Sequence, residues 1–306
     1  MTSKLTVLVP VYNGMPYLPE AVESILNQTL RDFTLLIIDD GSTDGTASYL
    51  DGLHDPRLRI VLQENQGQGA ALNRGLAICD TKYVALMDAD DISLPGRLKE
   101  QFEYMERDPE VVMLGTQVTL FAGKREFRGA ALPLTHEEIR RLLLRDKAAF
   151  CHAAGMFRTD VMKKIGGYRT MKSGQEMDIF LRMSDQGKIA NLDEMLYLIR
   201  IHRSSDNFLR RDQIKKAAAY AIKCARCRQK GVLEPTPETF EETWGNRGVI
   251  RKALDRLDSW SAVKYRNALV DLSESRSVRG YAGLVIAALL RPEGVARRVS
   301  GYFFRR

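Results

Sequence analysis

The chain has 306 residues, room for one large domain or a domain with an appendage, and its 44% hydrophobic and 28% charged content is that of an ordinary globular chain. Four scattered cysteines, Cys79, Cys151, Cys224 and Cys227, exclude a disulfide scaffold, and Cys224-x-x-Cys227 lacks the second Cys or His pair of a zinc site. The net charge of +7 is uneven: residues 207–306 hold 21 Lys/Arg against 10 Asp/Glu, a net +11, while the remainder is mildly acidic.

Leu5–Val11 is an apolar run that reads as a strand ending in Pro10-Val11-Tyr12-Asn13-Gly14. Pro16 opens a helix through Ala21, Val22, Ile25 and Leu26. Phe33–Ile38 is a second strand, ending in Asp39-Asp40-Gly41-Ser42-Thr43-Asp44, with Thr43 or Asp44 as the cap of the next helix. Arg57–Leu62 is a third strand, Asn65–Gly69 a loop and Ala70–Ile78 a helix. Tyr83–Met87 is a fourth strand, and Asp88, Asp90 and Asp91 follow it. A helix then starts near Leu94-Pro95, and Val111–Phe121 is a long strand. Thr135–Arg145 is an amphipathic helix with Thr135-x-x-Glu138 as a capping box. Gly166-Gly167-Tyr168 is a turn, Gln175–Met183 a helix and Met195–His202 a strand.

Strand and helix alternate from the start of the chain to Asp91. That pattern predicts a mostly parallel α/β sheet with helices on both faces, and it puts every polar signature on one rim, at the carboxyl ends of strands. Asp88 and Asp90 repel one another unless a cation neutralises them, and a hard divalent ion takes oxygen ligands. Alone, Asp-x-Asp is common and reads as a solvated acidic turn capping the next helix. The company it keeps decides.

Seven segments, in order, carry a resemblance to the family 2 glycosyltransferases of the GT-A fold. They are Val9–Asn13, Ile38–Asp44, Asn65–Gly67, Met87–Asp91, Gly166–Tyr168, Gln175–Arg182 and Tyr197–His202. The resemblance spans Lys4 to Asn207, and predicts a catalytic domain over 1–206 and a basic helical region over 207–306. It implies an inverting, metal-dependent transfer of sugar from a nucleoside-diphosphate sugar, a UDP-sugar first among them. The acceptor is the hydroxyl of a saccharide or lipid-linked saccharide, in polysaccharide or glycolipid synthesis.

By the same resemblance Pro10, Tyr12, Asn13, Asp39, Asp40, Asn65, Gly67, Asp88 and Ala89 surround the nucleotide, with Asp40 accepting from a base N–H. Asp88, Asp90 and His202 meet a Mn²⁺ or Mg²⁺ ion. Glu176 stands where the family keeps its base, usually an Asp, and Asp178 follows two residues on. Read from the residues alone, one of Asp39 and Asp40 caps a turn, Asp178 is a supporting acid at a helix start rather than the base, and His202 is equally a buried imidazole.

Other classes fit less well. A nucleotidyltransferase needs a Gly-rich, Arg-containing loop after the first strand, and Pro10–Gly14 is not one. An aspartyl-phosphate phosphatase places its Asp-x-Asp after the first strand, before a Thr. A catalytically silent nucleotide-sugar-binding subunit of the same fold remains the alternative, against which stand the intact Asp88, Asp90 and Glu176.

Nothing before Leu5 reads as a signal peptide, so the expectation is a cytoplasmic protein. Gly280–Leu290 is uncharged but only 11 residues long, short of the roughly 20 a membrane span needs. With the basic, aromatic end Arg297–Arg306 it suggests a peripheral site on an anionic membrane surface at the inner face of the cell membrane. The alternative is that it packs on other parts of the protein. No nucleic-acid motif accompanies the charge. Trp244 and Trp260 are expected in the core, and the oligomeric state is left open.

Overall fold

The computed structural model describes residues 3–171, 174–203, 211–246, 248–274 and 277–290. Two compact units divide them: Met1–Val118 with Leu132–Leu198, and Thr119–Ala131 with Ile199–Arg306.

The first unit is built on β1 (Leu5–Val11), whose seven residues are all buried. A strand that is apolar along its whole length is covered on both faces, so it takes the centre of a sheet. β2 (Thr34–Asp39) and β4 (Tyr83–Leu86) flank it in parallel, with Val7 opposite both Leu35 and Ala85. β3 (Leu58–Leu62) lies outside β2 as the sheet edge, and its half-exposed residues follow from that position. The connections are α1 (Leu18–Leu26), α2 (Thr46–Asp51) and α3 (Gln68–Ile78). α1 buries Leu18, Ala21, Val22 and Ile25, one face of a helix. It begins two residues after Pro16, because Gly14 O first accepts from the backbone N–H of Tyr17 and Leu18 in a turn. α2 has no side-chain cap, and Asp44 instead accepts from the N–H groups of Thr46 and Met15.

Beyond β4 the sheet is mixed. β5 (Ile92–Ser93), α4 (Arg97–Arg107) and β6 (Val111–Ala122) follow, with β7 (Arg125–Arg128) pairing antiparallel to β6. Next come α5 (His136–Leu143), β8 (Met156–Arg158), α6 (Thr159–Lys164), α7 (Glu176–Met183) and β9 (Lys188–Arg200). The strand order is β3-β2-β1-β4-β8-β6-β9-β5. The parallel arrangement that alternation predicts is confined to β3-β2-β1-β4. β8 inserts antiparallel to both β4 and β6, and β5 antiparallel to β9. β5, β7 and β8 are too short for a two-residue period to register in sequence. Thr135 caps α5 as expected, its Oγ1 accepting from the N–H of Glu138. β9 starts seven residues before Met195. Asn191 breaks the apolar run there, and its buried amide donates to the carbonyls of Pro133 and Ala149.

In the second unit, α8 (Arg211–Gln229), α9 (Pro237–Gly245), α10 (Val249–Ser273) and α11 (Ser277–Leu290) are helices, as the composition change after Asn207 predicts. Cys224 and Cys227 are buried thiols of α8 with no zinc partner set among the described residues. Trp244, expected in the core, is only half-buried: it stacks on Phe240, which tilts against Tyr220. Trp260 departs from expectation: it is 66% exposed, because it sits on the side of α10 opposite the buried Tyr265 and Leu269. No described helix is long and apolar enough to cross a membrane.

Candidate active site

The site forms where β1, β2 and β4 end together, since parallel strands in register release their following loops on one rim. Two loops are latched first. Asn13, with φ of 53°, accepts at Oδ1 from the N–H of Thr43 and donates its own N–H to Ser42 Oγ. Asn is among the few residues that tolerate this left-handed backbone. Asp39 is the turn cap foreseen for one of the pair: buried, it accepts from the N–H of Ser42.

Asp40, equally buried, holds the next loop. Its Oδ1 accepts from Gln63 Nε2 and the N–H of Gln66, and its Oδ2 from the N–H of Gly67 at 2.8 Å. Gly41 has φ of +77°, and a Cβ there would lie 2.9 Å from the backbone nitrogen of Asn65, so only glycine lets the loops approach this closely. Pro10 is buried at the strand end, whereas Asn65 and Gly67 are exposed. Tyr12 points its ring outward and is 52% exposed.

After β4 come Asp88, Ala89 and Asp90, all partly buried, and the buried Asp91. Carboxylate oxygens of Asp88, Asp90 and Asp91 lie within 4.8 Å of one another, a set that could hold a metal ion. Asp88 carries the cost of this crowding. Burial first, then the charges of Asp90 and Glu176, push its carboxyl up to about 7. A divalent cation relieves that repulsion with oxygen ligands it prefers, so the donor set fits such an ion. Asp91 was not among the ligands singled out from sequence, although it adjoins Asp90.

Glu176 opens α7 and acts on Asp88 through its charge; burial raises its own carboxyl pKa. Gln175 Nε2 donates to Gln68 Oε1, and Gln68 Nε2 to Asp88 Oδ1, both at 3.4 Å, which ties the start of α7 to the acid cluster.

Asp178 is differently employed. It is 1% exposed and its Oδ2 accepts from Arg182 Nε at 2.7 Å. Arg182 in turn donates to the carbonyls of Ile165 and Gly167. The pair therefore braces the Gly166-Gly167-Tyr168 turn, which Asn73 grips by two 2.8 Å hydrogen bonds to the Tyr168 backbone. Gly167, at φ of +62°, could carry no side chain: a Cβ would lie 2.5 Å from Asn73 Oδ1. Tyr168 Oη and His152 Nε2 share a 2.8 Å hydrogen bond.

Two more residues have no role assigned from sequence: Arg97, and Tyr197 at the head of the Tyr197–His202 segment. Arg97 is fully buried, donates to Leu86 O at 2.7 Å and lies 5.0 Å over the Tyr197 ring. The signal available was an arginine six residues after the acids, indistinguishable in sequence from a surface helix start. His202 is half-buried and belongs to the second unit.

A mixed sheet of this order with a strand-end acid cluster is the GT-A architecture, and comparison with known proteins agrees. Residues 6–166 match the family described as glycosyl transferase family 2. The O-antigen biosynthesis glycosyltransferase WbnJ of Escherichia coli is 33% identical over 227 residues, 72% of this chain and 85% of that one. Two solved structures share the fold. S. aureus TarS in complex with UDP-GlcNAc aligns at TM-score 0.58 and 16% identity, covering 94% of this chain and 92% of that one. The mannosyltransferase PcManGT of Pyrobaculum calidifontis, in complex with GDP-Man and Mn²⁺, aligns at 0.58 and 18%, covering 97% and 84%. The chain belongs to glycosyl transferase family 2, and is a glycosyltransferase.

Proposed function

We propose that this glycosyltransferase moves a sugar from a nucleoside-diphosphate sugar, a UDP-sugar first, to an acceptor hydroxyl in polysaccharide or glycolipid synthesis, with inversion at the anomeric carbon. The observation that carries it is the electrostatic coupling of Glu176 to Asp88 beside the Asp90 and Asp91 carboxylates. A proton acceptor and an anionic cluster suited to a cation thus occupy one site.

Asp88, Asp90 and Asp91 would hold Mn²⁺ or Mg²⁺, which when bound stabilises the negative charge on the departing diphosphate. Tyr12 offers an exposed ring on which a base stacks. Asp40 keeps the Gln66-Gly67 backbone in place at the nucleoside, with one Oδ2 lone pair left for a base N–H. Glu176 takes the proton from the attacking hydroxyl. Asp178, neutralised by Arg182, positions the turn rather than transferring protons. The proposed role of His202 at the metal and diphosphate rests on the resemblance of Tyr197–His202 alone. A single in-line displacement needs one base and no covalent intermediate, and hence inverts the anomer.

The test is incubation with UDP-, GDP- and dTDP-sugars, with Mn²⁺ and with excess EDTA, followed by NMR of the product. Metal-dependent release of nucleoside diphosphate and an inverted anomer are expected. Asp90→Ala is expected to abolish both turnover and metal-dependent nucleotide binding while the fold persists. Full activity in EDTA or a retained anomer would overturn this mechanism. No turnover of any donor, with tight binding of one, favours the silent subunit.

A further inference from the structure

The second unit exposes an apolar helix face that no part of the proposed chemistry uses. One side of α11 is pressed onto α10. A Cβ at Gly280 would lie 2.5 Å from the Leu272 side chain, and one at Gly283 2.9 Å from Ala268. Ser261 Oγ donates to Ala287 O at 2.9 Å, and Ala287 is buried in a cluster with Tyr265 and Leu269. This anchors the helix and fixes which side faces out.

The outward side is apolar. Val278, Tyr281, Val285 and Leu289 recur at helical spacing and are 84%, 63%, 58% and 78% exposed. α11 carries no acidic residue, and its single charged side chain, Arg279, is exposed. On α10 the exposed Trp260 immediately precedes Ser261, the residue that anchors Ala287. A contiguous apolar face of this kind, left in water, marks an interaction surface.

Charge selects the occupant. Residues 207–306 carry a net +11. The last sixteen, outside the described residues, contain five arginines, one glutamate, Tyr302, Phe303 and Phe304. A second copy of this chain would bring the same net positive charge against itself. An anionic bilayer surface supplies apolar depth and opposite charge in one partner.

We propose that α11 docks the protein on an anionic lipid surface, lying in the plane of the interface. Val278, Tyr281, Val285 and Leu289 point toward the acyl layer, and Arg279 meets the lipid phosphates. The helix lies on the membrane and does not cross it: fourteen residues at 1.5 Å each span about 21 Å, less than the hydrocarbon core of roughly 30 Å. The proposal is independent of which nucleotide-sugar is used.

The experiment is co-sedimentation of the full chain with phosphatidylcholine vesicles, with and without one part in three of phosphatidylglycerol. Binding is expected only with phosphatidylglycerol, and it is expected to weaken when salt is raised from about 50 to about 500 mM. The variant Val285→Glu with Leu289→Glu, both exposed and so harmless to packing, is expected to lower partitioning about tenfold or more while leaving donor hydrolysis in solution unchanged. Equal binding to both vesicles, equal binding by the variant, or no binding at low salt would each overturn the proposal. A dimer in light scattering that the variant dissociates would assign the face to a second copy instead.

Discussion

The phenol of Tyr197 accepts the backbone N–H of Asp88 at 3.2 Å, joining residues 109 positions apart in the chain. Behind it the guanidinium of Arg97 lies against the same ring and binds the carbonyl of Leu86, just before the acid turn. Burial holds the Tyr197 hydroxyl well above its usual pKa, so it stays neutral at working pH. The turn that carries three acids is thus held by a buried cation and a neutral phenol, neither of which repels it.

Tyr197→Phe removes the acceptor for the Asp88 N–H and nothing else of comparable size. A hydrogen bond of this kind contributes about 1 kcal/mol, so Mn²⁺ affinity should fall by roughly fivefold. Isothermal titration with Mn²⁺ measures this directly. Unchanged affinity would mean the turn is held by Arg97 alone.

Glu176→Gln should reduce turnover by roughly 10²–10⁴-fold with donor affinity little altered, the pattern of a lost general base. The wild-type pH profile carries a matching sign. The group must be ionised to accept a proton, and burial raises its pKa above that of a free glutamate. Turnover at saturating metal should therefore rise with pH through this raised value, and the variant should lack that limb. Saturating metal separates Glu176 from Asp88, whose titration governs metal loading.

Asp178→Asn should act on stability before chemistry. Breaking a buried ion pair by removing one partner costs about 3–5 kcal/mol, because the remaining charge is stranded. Arg182 loses its counterion while still bound to the Gly167 carbonyl. Urea unfolding should show the loss, and the folded fraction should keep most of its turnover. A stable but inactive Asp178→Asn, beside an active Glu176→Gln, would reverse the two assignments.

His152 predicts an acid sensitivity. Buried without a counter-charge, its imidazole is lowered to about 4 in the folded protein, against about 6.5 unfolded. Its contribution is complete above the unfolded value and is lost as pH falls toward the folded one. Between pH 7 and 5 this group alone should cost about 2 kcal/mol of stability. Comparing urea unfolding of wild type and His152→Phe at the two values isolates it: the variant should lose about that much less on acidification.

What could be read from sequence was local. β1, β2 and β4 are largely apolar runs that give way to polar residues, Tyr12-Asn13 after β1 and acids after β2 and β4, because a strand covered on both faces is apolar and its carboxyl end must meet water. The acid cluster at Asp88–Asp91, the caps at Asp39 and Thr135, and the change of character after Asn207 are likewise properties of adjacent residues. The antiparallel insertion of β8 was decided only in three dimensions, since three residues carry no readable period and their pairing depends on β4 and β6, more than forty residues away on one side. The same holds for Asp178 against Glu176. Both are acids in the first turn of α7, two positions apart on a helix of 3.6 residues per turn, and so face different ways: one is neutralised by Arg182, the other exerts its charge on Asp88. Arg97 and Tyr197 looked like a surface helix start and a strand residue until packing brought them together beneath the acid turn. And the apolar run of α11 became two different surfaces once Gly280 and Gly283 admitted α10, since backbone contact on one side is what leaves Tyr281 and Leu289 in water on the other.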